Sequence, residues 1–282
     1  MRARKVVRLH QSFRDDIADL VTRRPLPGPA LPHLDPFLFL NHHGPQVYRP
    51  GNNGLPFGPH PHRGFETVTF ILEGELSHLD SGGHESVIHS GGVQWMTAGS
   101  GLVHAELSPE SFKRSGGPLE ILQLWVNLPA GLKMTKPAYT GLEAAEIPKV
   151  ALDGGSIALI SGSFGGAKGP VQPLADVRMM VVRLDAGGAI DLPVEAGRTV
   201  FLYVAKGACT VAGTPAPQFN LVELDGEGDA VSLASEAGAL LLFGHAAPFH
   251  EPIVSHGPFV MNTREEIVAA VQDYQAGRFG SL

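Results

Sequence analysis

Two short stretches carry the side chains best able to do chemistry in this sequence, His60-Pro-His62 and His104-Ala-Glu106. In an extended strand, side chains alternate, so residues two apart point to one face. One pair therefore presents two imidazoles together, and the other presents an imidazole with a carboxylate. Two such strands facing each other inside a small barrel would bring three nitrogens and one oxygen to a single point. That set contains no thiolate, so it suits Fe(II), Mn, Ni, Cu or Zn in an open site better than a cysteine-type structural zinc. Four ligands on an octahedral ion would leave two positions for water, substrate or dioxygen. Glu66, four residues after His62, is also evenly spaced, and spacing alone does not choose between it and Glu106.

A single H-x-H pair among thirteen histidines would be a weak signal, and the second pair, beside glycine-rich turns and β-like runs, is what gives it weight. His42 and His43 are adjacent, so at most one could face any given site in an extended chain. His78, His84 and His89 lie around Asp80-Ser-Gly-Gly83, which reads as an exposed hairpin turn. His250 and His256 flank Pro252 and read as structural. Cys209, the one cysteine, sits in a small-residue, strand-like run and reads as core.

The elements that must position these pairs are strands. Apolar runs rich in Val, Ile, Leu and Phe span residues 67–72, 119–128, 177–184, 200–205 and 239–243, with glycines or prolines between them. With 35 Gly and 23 Pro scattered along 282 residues, this is an all-β pattern of short strands and turns. Helical periodicity appears once: Thr263-Arg-Glu-Glu266 has capping-box spacing, Ile267, Ala270, Val271 and Tyr274 follow at helical intervals, and Gly277 is placed to stop the helix. A faint repeat divides the chain. Residues 60–68 align without gaps on residues 192–200, and Gly92 and Gly238 each precede a histidine by twelve residues, His104 or His250. In the second copy, the positions of His60, His62 and Glu106 become Leu192, Val194 and Pro252, which cannot ligate, so about one metal per chain is expected. Residues 129–150 read as a linker, which divides the chain into 1–135, with the metal site, and 136–282, without it and ending in the helix.

The net charge of −7 provides no positive field for direct binding of nucleic acid, and no run approaches the roughly 18 apolar residues of a membrane span. A lone cysteine and an N-terminus without signal-peptide character point to the cytoplasm.

The run from His60 to Gly74 resembles the first signature of the pirin family, and Gly92 to Glu106 resembles the second. Asp35-Pro-Phe-Leu38, His250-Glu-Pro252 and the stretch from His256 to Thr263 also match, so the resemblance covers nearly the whole chain. It implies a bicupin, with two stacked antiparallel β-barrels and one iron in the first. It also implies that the ligands are His60, His62, His104 and Glu106, with the cupin-wide glutamate falling on Glu66, which in pirins is not the usual ligand. One departure concerns the pocket mouth: where many pirins carry an acidic pair after Asp-Pro-Phe, this chain has Asn41-His42-His43.

The resemblance implies two functions. One is a quercetinase-like dioxygenase that cleaves a flavonol or similar small aromatic substrate, with Glu106 doubling as general base; Phe57, Phe65 and Trp95, near the ligands in sequence, would supply an apolar wall. The other is a metal-dependent regulator acting through a protein partner. A large pocket open to the metal would favour the first.

Overall fold

In the computed structural model, which describes residues 2–282, every ladder of the main sheets is antiparallel and the chain forms two compact units. The unit that carries the histidine pairs comprises residues 14–23, 38–145 and 249–282. Its short sheet runs Phe57–His62, Leu102–Leu107, Glu75–Asp80, Glu85–His89, in that order. Its long sheet has Phe65–Glu73 at the centre, flanked by Val93–Thr97 and Gly117–Asn127, with Phe37–Tyr48 beyond the latter. The other unit comprises residues 2–13, 24–37 and 146–248 and repeats the plan. Gly188–Pro193, Ala230–Ser235, Cys209–Val211 and Thr214–Ala216 form its short sheet, and Thr199–Gly207 lies between Asn220–Leu224 and Ala239–Ala246 in its long one.

Each expected apolar run falls on a strand, the run 119–128 overshooting its strand by the one residue Leu128, and Val177–Leu184 is a strand from end to end. The C-terminal helix forms over Arg264–Gln275 with the capping box intact: Thr263 Oγ1 accepts from the Glu266 amide at 3.2 Å, and a Glu266 carboxylate oxygen accepts from the Thr263 amide at 2.9 Å. Ile267 and Ala270 are buried with Val103, Phe259, Met261 and Phe279, and Val271 packs beside them. Tyr274 stays substantially exposed, with its ring near Phe259 and Phe279. A further helix, Glu110–Ser115, is too short for its periodicity to be read from sequence.

The structure differs from the expected organisation in two respects. The compact units are not 1–135 and 136–282. The N-terminal strand Val6–Gln11 pairs with Asn220–Leu224 in one unit, while the C-terminal hairpin and helix pack in the other, on the site-bearing barrel. The expected linker is not free chain either, because Ala138–Leu142 pairs with Val93–Thr97 and Lys149–Leu152 with Gly155–Ser161. The second difference is the pairing of His104 with His250. By sheet order, the counterpart of Leu102–Leu107 is Ala230–Ser235, whereas His250 follows Ala239–Ala246 and lies in the site-bearing unit. The first pairing agrees with the topology, since Gly188–Pro193 is the counterpart of Phe57–His62, and Leu192 stands opposite Val231 as His60 stands opposite His104.

Candidate metal centre

The two histidine-bearing strands are neighbours. His104 stands opposite His60 and Leu102 opposite His62, so the strand alternation read from the sequence aims all three imidazoles into the barrel. Their ligand atoms all lie within 4.8 Å of one another, and among the described residues they are the one such group of three or more. Ring centroids are 4.3 Å apart for His60 and His104, 4.8 Å for His60 and His62, and 4.9 Å for His62 and His104.

Backbone carbonyls orient two of the rings. His60 Nδ1 donates to the Gly58 carbonyl at 2.8 Å and His62 Nδ1 to the Pro258 carbonyl at 3.3 Å, which leaves each Nε2 lone pair for the cluster. His104 is different. It is fully buried, and neither ring nitrogen has a hydrogen-bond partner among the described residues. An unmet polar atom at such a position costs about 1–3 kcal/mol, so the ring calls for a partner that none of the described residues supplies. Burial, reinforced by the neighbouring His60, pushes His62 down to about 3, and burial pushes His104 well below the ordinary histidine range. Neutral imidazoles converging on one point are what a divalent cation requires, so the residues present fit a metal ion.

Glu106 is buried two residues beyond His104, but a bulge between them, against His60 and Phe57, interrupts the regular register. Its carboxylate lies outside the three-histidine group. Oε1 accepts from Thr69 Oγ1 at 3.0 Å and from Gln94 Nε2, and Oε2 accepts from Gln123 Nε2. Glu66 faces the other way. On the regular strand Phe65–Glu73, Thr69 points to Glu106, so Glu66, three residues earlier, points to the opposite face, where Thr97 Oγ1 donates to it at 2.7 Å. Burial raises its carboxyl to about 7. The even spacing from His62 is therefore not continuous. Gly64 interrupts it at φ +89°, where a Cβ would lie 2.0 Å from the Val260 carbonyl oxygen, and the chain passes from one sheet to the other. Lys133 secures this turn by donating to the Gly64 and Val260 carbonyls and to Asn127 Oδ1, and burial lowers its ammonium to about 8.

The remaining expectations divide. His42 and His43 are both buried outside the cluster. His42 Nε2 shares a hydrogen bond with Glu120 and His43 Nδ1 with Thr22 Oγ1, each at 2.9 Å. His84 and His89 are exposed beside the hairpin, but His78 is not a surface residue. Leu76, His78 and Asp80 share the inward face of their strand; His78 is fully buried, bonded to Asp80 and stacked on Tyr139 at 4.0 Å, 5.5 Å from the His104 ring. Of the expected aromatic wall, Phe65 meets His62 edge-on at 5.1 Å. Phe57 packs on His43 instead, and Trp95 shares the Glu66 face of the sheet. The wall is completed by Trp125, 5.3 Å from His62 and tilted against Phe65, and by Phe39, stacked on Trp125 at 4.6 Å. Neither residue is close in sequence to a ligand pair. Their signal is topological: Trp125 stands opposite Thr67 in the strand beside the central one. Cys209 is buried, and burial pushes its thiol up to about 11. No helix among the described residues is long and apolar enough to cross a membrane.

Comparison with known proteins gives consistent results. Residues 19–126 match the pirin family and residues 179–280 the family described as the pirin C-terminal cupin domain. The chain is similar to a pirin-like protein of Caulobacter vibrioides, 41% identical over 267 residues and spanning 94% of each chain. It is similar to pirin of Homo sapiens at 38% identity over 266 residues, 92% of this chain and 87% of that one. A crystal structure of quercetin 2,3-dioxygenase from Acinetobacter baumannii superposes with a TM-score of 0.93 at 37% identity, covering 99% of each chain.

Proposed function

The chain belongs to the pirin family of the cupin superfamily, and from that premise we propose that it is a mononuclear iron protein that opens flavonol-type rings with dioxygen. His60, His62, His104 and Glu106 would hold the ion. The observation that carries the metal is His104, buried among three converging imidazoles with neither ring nitrogen partnered among the described residues. The similarity to a quercetin 2,3-dioxygenase supports the reaction class. When bound, the ion supplies Lewis acidity and an electron path between substrate and dioxygen.

The rest falls to the chain's own side chains. Phe65, Trp125 and Phe39 form a continuous aromatic surface on the His62 side of the centre, fit to hold a flat ring system. Glu106 takes the proton of the flavonol hydroxyl at its carboxylate. Thr69, Gln94 and Gln123 orient that carboxylate with three donors, so it does not have to be organised when substrate arrives. Tyr139, bonded to Gln94 and Ser86, braces the same network from behind. The test is metal analysis of anaerobically purified protein, followed by oxygen uptake and carbon monoxide release on a panel of flavonols. One iron per chain with flavonol-dependent uptake is expected. A stoichiometric metal with no uptake on any flavonol would overturn the activity, and a metal-free protein would overturn the centre.

A further inference from the structure

The other barrel carries a cavity of about 370 Å³ at the end of the strand Gly188–Pro193, beside Val194, the residue that aligns with His62. Its size suits one small organic molecule. Phe164, Met180, Pro193 and Val194 supply apolar wall, and His245, almost fully buried, supplies a polar group. The state of that imidazole is dictated by a neighbour. Arg198 Nε donates to His245 Nδ1 at 2.7 Å, so Nδ1 must carry a lone pair and the ring proton must sit on Nε2. Arg198 cannot swing away, because it also donates to the Asp176 carboxylate at 2.5 Å and to the carbonyls of Asp176 at 2.6 Å and His245 at 3.1 Å. Burial, with Arg198 and Arg178 nearby, pushes His245 down to about 3, so it remains an uncharged donor at neutral pH.

Charge at the rim is already balanced. Arg178, on the lining, pairs with Glu195 at 2.6 Å, and Asp229 Oδ1 accepts from the Arg2 amide at 2.5 Å. Three guanidinium groups, Arg178, Arg198 and the buried Arg4, which donates to the Arg198 and Glu195 carbonyls, face three carboxylates, Asp176, Glu195 and Asp229, so no surplus positive charge is left to hold a carboxylate or phosphate. The two rim carboxylates on the lining are themselves engaged, which leaves little to attract an ammonium group.

We propose that this barrel holds a second small-molecule site, distinct from the metal centre, for an uncharged ring compound whose carbonyl or hydroxyl oxygen accepts a hydrogen bond from His245 Nε2. The ring lies against Met180, Val194 and Phe164, and ligand hydroxyls face Ser163 and the rim carboxylates. The test titrates the full-length, metal-loaded chain, labelled at its methionine methyls, with para-hydroxybenzamide while the Met180 methyl resonance is followed by NMR. Para-hydroxybenzoate and para-(aminomethyl)phenol are the anionic and cationic arms. A saturable shift is expected for the amide, with both charged analogues about tenfold weaker or worse. His245→Leu should abolish it. Because that change also strips a partner from Arg198, Ser163→Trp, made at an exposed rim position, tests the cavity without touching the Arg198 network. His104→Ala should leave the titration unchanged. Four results would each overturn the proposal: no shift at millimolar amide, equal affinity for a charged analogue, full binding by Ser163→Trp, or loss of binding in His104→Ala.

Discussion

The two barrels share a strand plan and differ in what points inward. In one, the inward positions of the short sheet hold His60, His62, His104 and Glu106, and those of the long sheet hold Thr69, Gln94 and Gln123. In the other, Ile190, Leu192 and Val194 face Val231 and Leu233 in one continuous hydrocarbon core. Burying an aliphatic side chain of that kind is worth about 1.5–3 kcal/mol, whereas His104 is buried with neither ring nitrogen hydrogen-bonded among the described residues. The fold tolerates either filling because strand register and turns specify the sheet, and a handful of inward identities specify the chemistry. One barrel therefore gathers polar, metal-ligating groups in its interior, and the other is filled with hydrocarbon except at its mouth.

The strongest way to break this comparison is His104→Leu. Bound metal is expected to fall from about one per chain to background by elemental analysis, with loss of oxygen uptake. The metal-free variant should melt no lower than metal-free wild type, because replacing an unsatisfied buried ring with hydrocarbon leaves no donor or acceptor unmet. A lower melting temperature would mean that His104 has a partner in the resting protein. Next comes the carboxylate. Glu106→Gln should leave little metal, while Glu66→Gln, on the opposite sheet face, should keep most of it, since groups outside the ligand set usually cost only about 10–100-fold in affinity. Side-by-side metal content with the opposite ranking would refute Glu106 as ligand.

The converse experiment sharpens the other half of the comparison. Val231→His puts one imidazole at the position aligned with His104 but among aliphatic neighbours, and should cost about 2–5 kcal/mol in denaturant unfolding. An unchanged midpoint would show that the second interior is not closed to polar groups. The smallest expected effect is a pH dependence. The folded-state pKa of Glu66 is raised from 4.5 to about 7, so its stabilising contribution is present below about 4.5 and lost as pH rises through about 7. Glu66→Gln should therefore flatten the fall of wild-type stability between those values, by about 1–3 kcal/mol. Parallel pH curves for the two proteins would count against the buried, protonated carboxyl.

Legibility in the sequence followed the range of the interactions. The capping box at Thr263 and the H-x-H pair are local patterns of a few residues, and both formed as their spacing predicts. The pairing of His104 with His250 failed because glycine spacing does not identify which strand hydrogen-bonds to which. The burial of His78 is not legible locally, because a turn sequence reveals that the chain reverses at Ser81–Gly83 but not which face of the preceding strand is buried. Trp125 and Phe39 were invisible as site residues because their contact with the centre passes through neighbouring strands of the long sheet rather than along the chain.

By itself, the sequence determined the all-β class, the strand runs, the capped helix and the three imidazoles, because each rests on alternation or periodicity within one element. Only the tertiary structure decided three things: that Glu66 turns away while Glu106 is held by Thr69, Gln94 and Gln123, that the N-terminal strand and the C-terminal helix belong to opposite units, and that Arg198 leaves His245 as a neutral donor at the mouth of the second barrel. These depend on hydrogen bonds and strand pairings between residues far apart in the chain, and no local spacing encodes which of the available partners a folded chain brings together.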